Sequence, residues 1–226
     1  MDKHHKEAFE KIPEEKRQRI FDAAIAEFGN KGFTGANINI IARQADISIG
    51  SMYNYFDSKE QLFLAVIDYG YDLLETILSG VDLESGDIFD KFENLLRVAQ
   101  TFSRKNPELN QIYLDLASEG LRHLSARLSR TVESITAEYY RALLAEARKE
   151  GLVADDIDDH VTAFCLDNII LLLQFSYSSE YFRERMKIFA GADAVEDDEK
   201  MIKGIMRFIR GALSPLLPAP GYGAGT

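Results

Sequence analysis

The sequence predicts an all-α protein, and three observations lead to that prediction. Apolar residues recur at three- and four-residue spacing along most of the chain, which is typical of amphipathic helices. No stretch shows the strict apolar–polar alternation of a half-buried strand. Ser, Asn or Asp precedes several of these segments and Gly or Pro follows them, as expected at helix ends. We therefore expect helices joined by short turns.

The first helix is expected from Pro13-Glu14 to Asn30, because proline suits a first helical turn and Gly32 ends the pattern. Its apolar face consists of Ile20, Ala23, Ala24 and Phe28. Residues 1–12 are charged, and we expect them to be frayed or loosely helical.

The segment 37–59 predicts two short helices around a tight turn. The first has an apolar face of Ile38, Ile41, Ala42 and Ala45. Residues 46–48 interrupt the pattern, and Ser48 is the expected N-cap of the second helix, which turns Met52 and Phe56 inward. This arrangement is a helix-turn-helix, whose second helix enters the major groove of DNA.

A more specific pattern covers roughly residues 14–65. It consists of Gly32-Phe33, Ile41-Ala42, Ala45, Ile47-Ser48, Gly50, Met52-Tyr53, Tyr55-Phe56, Ser58-Lys59-Glu60 and Leu62. These residues resemble the signature of the tetracycline-repressor (TetR) family. The sequence departs from this signature at two places. It has Ala36-Asn37 where the family has paired threonines, and Asp46 where the family has the glycine of the turn. Asn is as good an N-cap as Thr, and Asp tolerates left-handed backbone geometry.

Further helices follow to the end of the chain. Residues 58–61 fit a capping box that starts a long connecting helix ending at Gly80. The segment 81–87 is the expected loop at the functional boundary. The later helices are expected at 88–103, after Asn106-Pro107, at 121–150 after Gly120, from Asp155 or Asp156 through Phe175, around 181–189 and at 196–213.

Three parts are therefore predicted. Residues 1–60 form the DNA-binding domain, with the helix from Ser58 as connector, and residues 61–214 form a helical effector-binding and dimerisation domain. Residues 215–226 are Pro/Gly-rich and are expected to be a disordered tail.

Composition limits the remaining choices. The net charge is −11, but residues 1–60 carry only −1 and residues 61–226 carry −10, so the acidity lies outside the DNA-facing part. The N-terminus has no apolar signal segment, and the run Ile169–Leu173 is too short to span a bilayer. A single cysteine, Cys165, allows no internal disulfide. These features predict a cytoplasmic protein without a membrane partner.

The expected DNA-binding residues lie in and around the second short helix. Asn54 can pair with adenine, Ser51 can bond to either base type and Ile49 can touch a thymine methyl group. The family resemblance implies phosphate contacts for Tyr53, Tyr55 and Lys59, although Tyr53 can equally belong to the core. The predicted set is Asn37, Asn39, Ser48, Ile49, Gly50, Ser51, Tyr53, Asn54, Tyr55 and Lys59.

The resemblance also implies an apolar ligand cavity in the C-terminal helices. The aromatic content of these helices indicates an apolar or aromatic effector. The residues predicted to line it are Phe92, Leu96, Tyr113, Tyr139, Phe164 and Asn168. Each aromatic residue can instead belong to the core. Asp167-Asn168 is the most informative pair, because polar groups inside an otherwise apolar helix need partners.

A homodimer on a palindromic operator is expected, since two-fold protein symmetry matches two half-sites. The resemblance implies that the last two long helices form the interface. The predicted residues are Val161, Cys165, Ile169, Leu172, Ile202, Ile205, Met206 and Ile209. The alternative is that one monomer's core contains both stripes.

No catalytic motif is present, and no cofactor or metal is predicted. The acidic run 155–159 before His160 resembles a metal site in composition, but acidic residues also favour a helix N-terminus. The sequence thus predicts a transcriptional regulator, a repressor released from DNA by a small molecule. An all-helical enzyme or carrier, or a regulator controlled by a protein partner, remain the alternatives.

Overall fold

A computed structural model of the chain describes residues 4–80, 85–116 and 122–215, and only the backbone of residues 122–132 and 135. The described residues form eleven helices and no strand, which confirms the all-α prediction. The helices are α1 (Glu7–Glu10), α2 (Glu14–Gly35), α3 (Ile38–Gln44), α4 (Ile49–Tyr55), α5 (Lys59–Ser79), α6 (Ile88–Lys105), α7 (Pro107–Leu116), α8 (Arg122–Lys149), α9 (Asp159–Ser178), α10 (Glu180–Ala190) and α11 (Asp198–Leu213).

The predicted helix ends are confirmed around the short helices. The Ser48 hydroxyl accepts a hydrogen bond from the Ser51 N–H at 3.0 Å, and Ser58 accepts one from Gln61 at 3.1 Å. Asp46 has a φ of 55°, the left-handed geometry that the turn requires. Gly32, with a φ of 65°, interrupts the helical geometry of α2 where the pattern ends.

The N-terminal segment differs from the prediction, because it is docked rather than frayed. Phe9 is buried, and its ring centroid lies 4.8 Å from that of Phe56. The Lys6 N–H donates to the Tyr55 carbonyl at 2.8 Å, and its ammonium donates to the Tyr53 carbonyl at 2.9 Å. One aromatic side chain inserted into the core thus holds an otherwise charged segment in place.

Two hydrophobic cores organise the described helices. The first contains the apolar faces of α1 to α4 and the N-terminal half of α5, together with Phe102 of α6 and Leu109, Ile112 and Leu116 of α7. The second is built from α6, α8, α9, α10 and α11. Helix α6 contributes to both cores, whereas the described buried apolar residues of α5 and α7 belong to the first.

Some predictions fall outside the described residues. These are the start of the boundary loop at 81–84, the helix break at Gly120 with the residues around it (117–121), and the tail from residue 216 onward. The division of the chain into domains stays a prediction.

Candidate DNA-binding surface and ligand cavity

Helix α3 is positioned by a carboxylate of α2. Glu27 is buried, and its Oε1 accepts a hydrogen bond from the Asn37 N–H at 3.1 Å. The Asn37 side chain in turn accepts from the Asn39 N–H at 2.9 Å, so Asn37 caps α3 as expected. The first turn of α3 is therefore fixed to α2, and both asparagines are exposed.

Helix α4 exposes most of the residues predicted to face DNA. Ser48, Gly50 and Asn54 are exposed, Ser51 is partly exposed, and Ile49 and Tyr53 are 37% and 47% exposed. The opposite side is buried through Met52 and the following Phe56. The face is thus available, and its contacts with DNA stay a prediction.

Tyr55 lies elsewhere than expected. It is 6% exposed, and its hydroxyl accepts a hydrogen bond from the Lys16 ammonium at 3.1 Å. Its ring packs 5.9 Å from that of Phe9. Tyr55 belongs to the core, because the docked N-terminal segment covers it.

The Lys59 ammonium also makes other contacts than the phosphate contact expected from the sequence. Its ammonium donates to the carbonyl oxygens of Phe33 at 2.7 Å, Ala36 at 3.0 Å and Thr34 at 3.3 Å. These carbonyls lie at the end of α2, where a positive charge is favoured. All three ammonium donors of Lys59 are therefore used inside the protein.

Arg43 is a candidate that the sequence-based prediction missed. It is exposed on α3, one turn after Asn39, and no described residue pairs with its guanidinium. With Asn39, Asp46, Ser48 and Ile49 it borders a concave surface between α3 and α4. The four-residue spacing from Asn39 was the available signal.

A cavity of about 240 Å³ lies between the two cores, close to the lower end of the sizes typical of small-molecule sites. Its lining is mostly apolar. It consists of Ile67, Gly70, Tyr71, Leu74 and Leu78 of α5; Leu95, Val98, Ala99 and Phe102 of α6; Leu109, Asn110, Ile112, Tyr113 and Leu116 of α7; Glu133, Thr136 and Tyr140 of α8; and Asp167, Ile170, Leu171 and Gln174 of α9.

Of the six residues predicted to line a cavity, Tyr113 does so. Phe92 and Leu96 are buried in the second core, and Tyr139 packs against it. Phe164 is 70% exposed, and the Asn168 amide donates back to the Phe164 carbonyl at 2.7 Å. The prediction missed by one residue at two places, since Tyr140 and Asp167 are the lining neighbours of Tyr139 and Asn168.

Acidic and phenolic groups are concentrated in the cavity wall. The Tyr113 hydroxyl donates to Glu133 Oε1 at 2.6 Å. Burial, and then the nearby Glu133 carboxylate, raise the pKa of Asp167 to about 6. Burial and the same carboxylate raise the pKa of Tyr71 to about 12. The Asn110 amide nitrogen is buried without a hydrogen-bond partner among the described residues.

The predicted dimer residues divide between the two helices. On α9, Val161 (60% exposed), Cys165 and Leu172 (45%) are exposed, while Ile169 is partly buried. On α11, Ile202, Met206 and Ile209 are buried in the second core, and Ile205 packs against it. The α11 residues predicted for the interface therefore face the chain's own core. A large apolar residue that α11 exposes instead is Phe208, at 67%.

Helix α9 is also long and apolar enough, by length and composition, to cross a membrane, but only 33% of its most apolar window is buried in the chain. Such a helix is also typical of a core or of a subunit interface.

The acidic run before α9 caps that helix. Asp158, rather than the expected Asp155 or Asp156, accepts hydrogen bonds from the His160 and Val161 N–H groups. Asp159 pairs with Arg148 at 2.5 Å, which lowers the pKa of that carboxyl. Among the described residues, no group of three or more His, Cys, Asp or Glu could hold a metal ion.

Comparisons with known proteins agree with this architecture. A sequence model of bacterial regulatory proteins of the tetR family matches residues 20–66. The transcriptional repressor SCO4008 of Streptomyces coelicolor is 31% identical over 148 residues, covering 64% of this chain and 71% of the relative. The repressor NicS of Pseudomonas putida is 27% identical over 191 residues, covering 81% and 84%.

The fold is also found among solved structures. A TetR-family regulator from Chloroflexus aurantiacus has a TM-score of 0.72 at 24% identity, covering 94% of this chain and 99% of that one. The helix-turn-helix geometry and the similarity to SCO4008 over most of that repressor lead to the same conclusion. The chain belongs to the TetR family of bacterial transcriptional regulators.

Proposed function

We propose that the protein is a homodimeric repressor that binds a two-fold operator through α3 and α4 and leaves it when a small molecule occupies the cavity. Two half-sites about one helical turn or a multiple apart would match the two-fold symmetry of the dimer. The ligand favours the state in which the two recognition helices are spaced wrongly for DNA.

Helix α5 is the observation that carries this proposal. In its first half, Leu62, Phe63 and Val66 are fully buried in the core that holds α3 and α4. Its second half lines the cavity through Tyr71 and Leu74. A ligand that displaces the second half therefore acts on a helix that is already fixed to the DNA-binding core.

Helix α7 provides a second connection. A Cβ atom added to Gly29 of α2 would lie 2.6 Å from the Cβ of Glu108, so the two helices are in close contact there. The Phe33 N–H also donates to Asp115 at 2.8 Å. Because Asn110 and Tyr113 of the same helix line the cavity, movement of α7 would reach the end of α2.

For the dimer interface we propose the exposed apolar residues of α9 and α11. On α9 these are Val161, Phe164, Cys165 and Leu172, and on α11 Phe208 lies between the exposed Gly204 and Gly211. Among the described residues, no side chain lies within 4 Å of a Cβ built on either glycine, so a second helix can approach closely. Sedimentation velocity on Phe164→Glu tests the proposal. A monomer is expected, whereas Ile188→Glu on α10 should stay dimeric.

The family is one of transcriptional regulators rather than enzymes, which favours this function over the enzyme or carrier alternative. A regulator of this kind works in the cytoplasm, where its DNA is. If a protein partner controlled the regulator, the cavity would need no small-molecule effector. Binding of an effector in the cavity therefore distinguishes the proposed mechanism from that alternative.

Operator selection from a random DNA library tests the proposed function. We expect an inverted repeat, bound with an affinity that falls as salt increases. Asn54→Ala should change the preferred base, and Arg43→Ala should weaken binding to all sequences similarly. Enrichment of no sequence, or no effect of Asn54→Ala on preference, would contradict the assignment.

A further inference from the structure

We infer that the cavity takes a ligand with a positively charged amine or quaternary ammonium group on a small apolar body. The inference rests on the proposed function only in treating the cavity as the effector site. It goes further by naming the charge of the ligand, which the family assignment leaves open.

The charge of the cavity wall is the first argument. Glu133 and Asp167 both line the cavity, and the described lining contains no Lys, Arg or His. Among the described side chains, Asp167 makes no hydrogen bond or ion pair, and Glu133 accepts a hydrogen bond from the Tyr113 hydroxyl. Asp167 is partly buried whereas Glu133 is exposed, so the cost of an unpaired carboxylate falls mainly on Asp167. Among the described lining residues, the charge that could pair with Asp167 and is missing is a cation.

The rings around these carboxylates suit the same ligand. Tyr71, Tyr113 and Tyr140 contribute to the wall, and a cation within about 6 Å of an aromatic ring face is attracted by its quadrupole. Most of the remaining lining is apolar, with Leu74 and Ile170 among the residues that can hold an apolar body. Carboxylates and aromatic rings together are typical of ammonium recognition.

Other ligand charges fit less well. An anionic ligand would place a further negative charge beside two carboxylates, of which Asp167 is partly buried, and like charges repel there. A neutral ligand would displace water from the carboxylates and could return at most a hydrogen bond, without neutralising their charge. The unpartnered Asn110 amide nitrogen is a donor, so it favours a hydrogen-bond acceptor elsewhere on the ligand.

Three probes with one apolar body separate these possibilities. Isothermal titration calorimetry at pH 7.5 would compare 4-phenylbutylamine, 4-phenylbutan-1-ol and 4-phenylbutanoate on the full-length protein. We expect the amine to bind at least about tenfold more tightly than the other two, because only the amine pairs with the carboxylates. Equal affinity for the alcohol, tighter binding of the carboxylate, or no binding of the amine would overturn the inference.

Isosteric variants locate the effect. Glu133→Gln and Asp167→Asn should each remove most of the preference for the amine and leave the affinity for the alcohol nearly unchanged. Glu138→Gln is the matched control, since Glu138 is exposed on the same helix and does not line the cavity. Preference retained in both lining variants would overturn the inference.

Operator binding by each variant without probe, measured by fluorescence anisotropy, confirms that the variant is folded. It also separates two failures. A protein that binds its operator but prefers the alcohol or the carboxylate contradicts the inferred charge alone, whereas a protein that binds no operator contradicts the proposed function.

Discussion

The DNA-binding region and the cavity region use polar groups in opposite ways. Around α3 and α4, Glu27 binds the Asn37 N–H and the Lys59 ammonium binds three carbonyls, so these charges serve the fold. In the cavity wall, Asp167 has no pairing partner among the described side chains, and the Asn110 amide nitrogen has none either. The polar groups that hold α3 and α4 in place are thus paired within the fold, whereas the cavity wall has polar groups left for a ligand.

This difference teaches where each region should respond to mutation. Replacing the paired polar residues of the DNA-binding region, such as Glu27 and Lys59, should cost stability. Polar substitutions in the cavity should change ligand binding and can even raise stability. The following predictions test this comparison.

The largest effect is expected for Phe9→Ala. Phe9 is 2% exposed and packs against Phe21, Tyr55 and Phe56. Truncation of a buried phenylalanine costs about 3 to 5 kcal/mol. Chemical denaturation should show a loss near the lower end, because the segment can detach without global unfolding. Phe189→Ala, at 75% exposure, is the control that should change little. Equal effects of the two substitutions would mean that the N-terminal segment is not docked.

Lys59→Met should lower the free energy of unfolding by about 1.5 to 3 kcal/mol, the range for hydrogen bonds to charged groups. The alkyl stem is kept, so the loss reports the ammonium and its carbonyl partners. Lys31→Met, which changes an exposed cation on α2, should leave the unfolding midpoint nearly unchanged. A loss of DNA binding by Lys59→Met without any loss of stability would instead support the phosphate contact expected from the sequence.

Asp167→Asn should make the protein more stable at pH 7.5. The pKa of Asp167 is about 6 in the folded protein against an ordinary 3.8, so the folded state holds the extra proton between these values. Stability therefore falls as pH rises from about 4 to 6, and above that range the ionised carboxylate carries its full cost. After allowance for partial exposure, we expect a gain of about 1 kcal/mol. Melting curves should show no gain near pH 4. A gain that is independent of pH would point to another cause.

The smallest effect on stability is expected for Arg43→Ala, because Arg43 is exposed and has no described partner. Its effect should appear in DNA binding instead. The slope of log affinity against log salt should become shallower by about 1 if the guanidinium contacts a phosphate. An unchanged slope would remove Arg43 from the interface.

The sequence predicted the short helices well because their limits depend on local chemistry. Ser48 and Ser58 cap the helices they precede, and Asp46 tolerates the turn geometry, whatever the rest of the chain does. The internal partners of Lys59 were not predicted, because they lie 23 to 26 residues earlier, at the end of α2. Such a pairing is a property of the packed fold and leaves no local pattern.

The cavity and the dimer faces were harder to predict for another reason. Helix α9 is apolar on most of its circumference, so spacing alone could not separate Leu166, which is buried, from Phe164, which is exposed. The same ambiguity favoured Asn168 over Asp167. On α11 the spacing did identify one apolar face of the helix. The same spacing is expected whether that face packs into the chain's own core or against a second copy of the chain.

The central claim is that occupancy of the cavity changes operator affinity through α5 and α7. Fluorescence anisotropy on the selected operator with Leu171→Trp tests it without a known ligand, because the indole ring would fill cavity space. The account predicts an affinity about tenfold weaker, the size of a typical coupling between sites. Ile188→Trp, exposed on α10, should bind like the unmodified protein. Affinity equal to or higher than that of the unmodified protein in Leu171→Trp, with its helical content intact, would contradict the account.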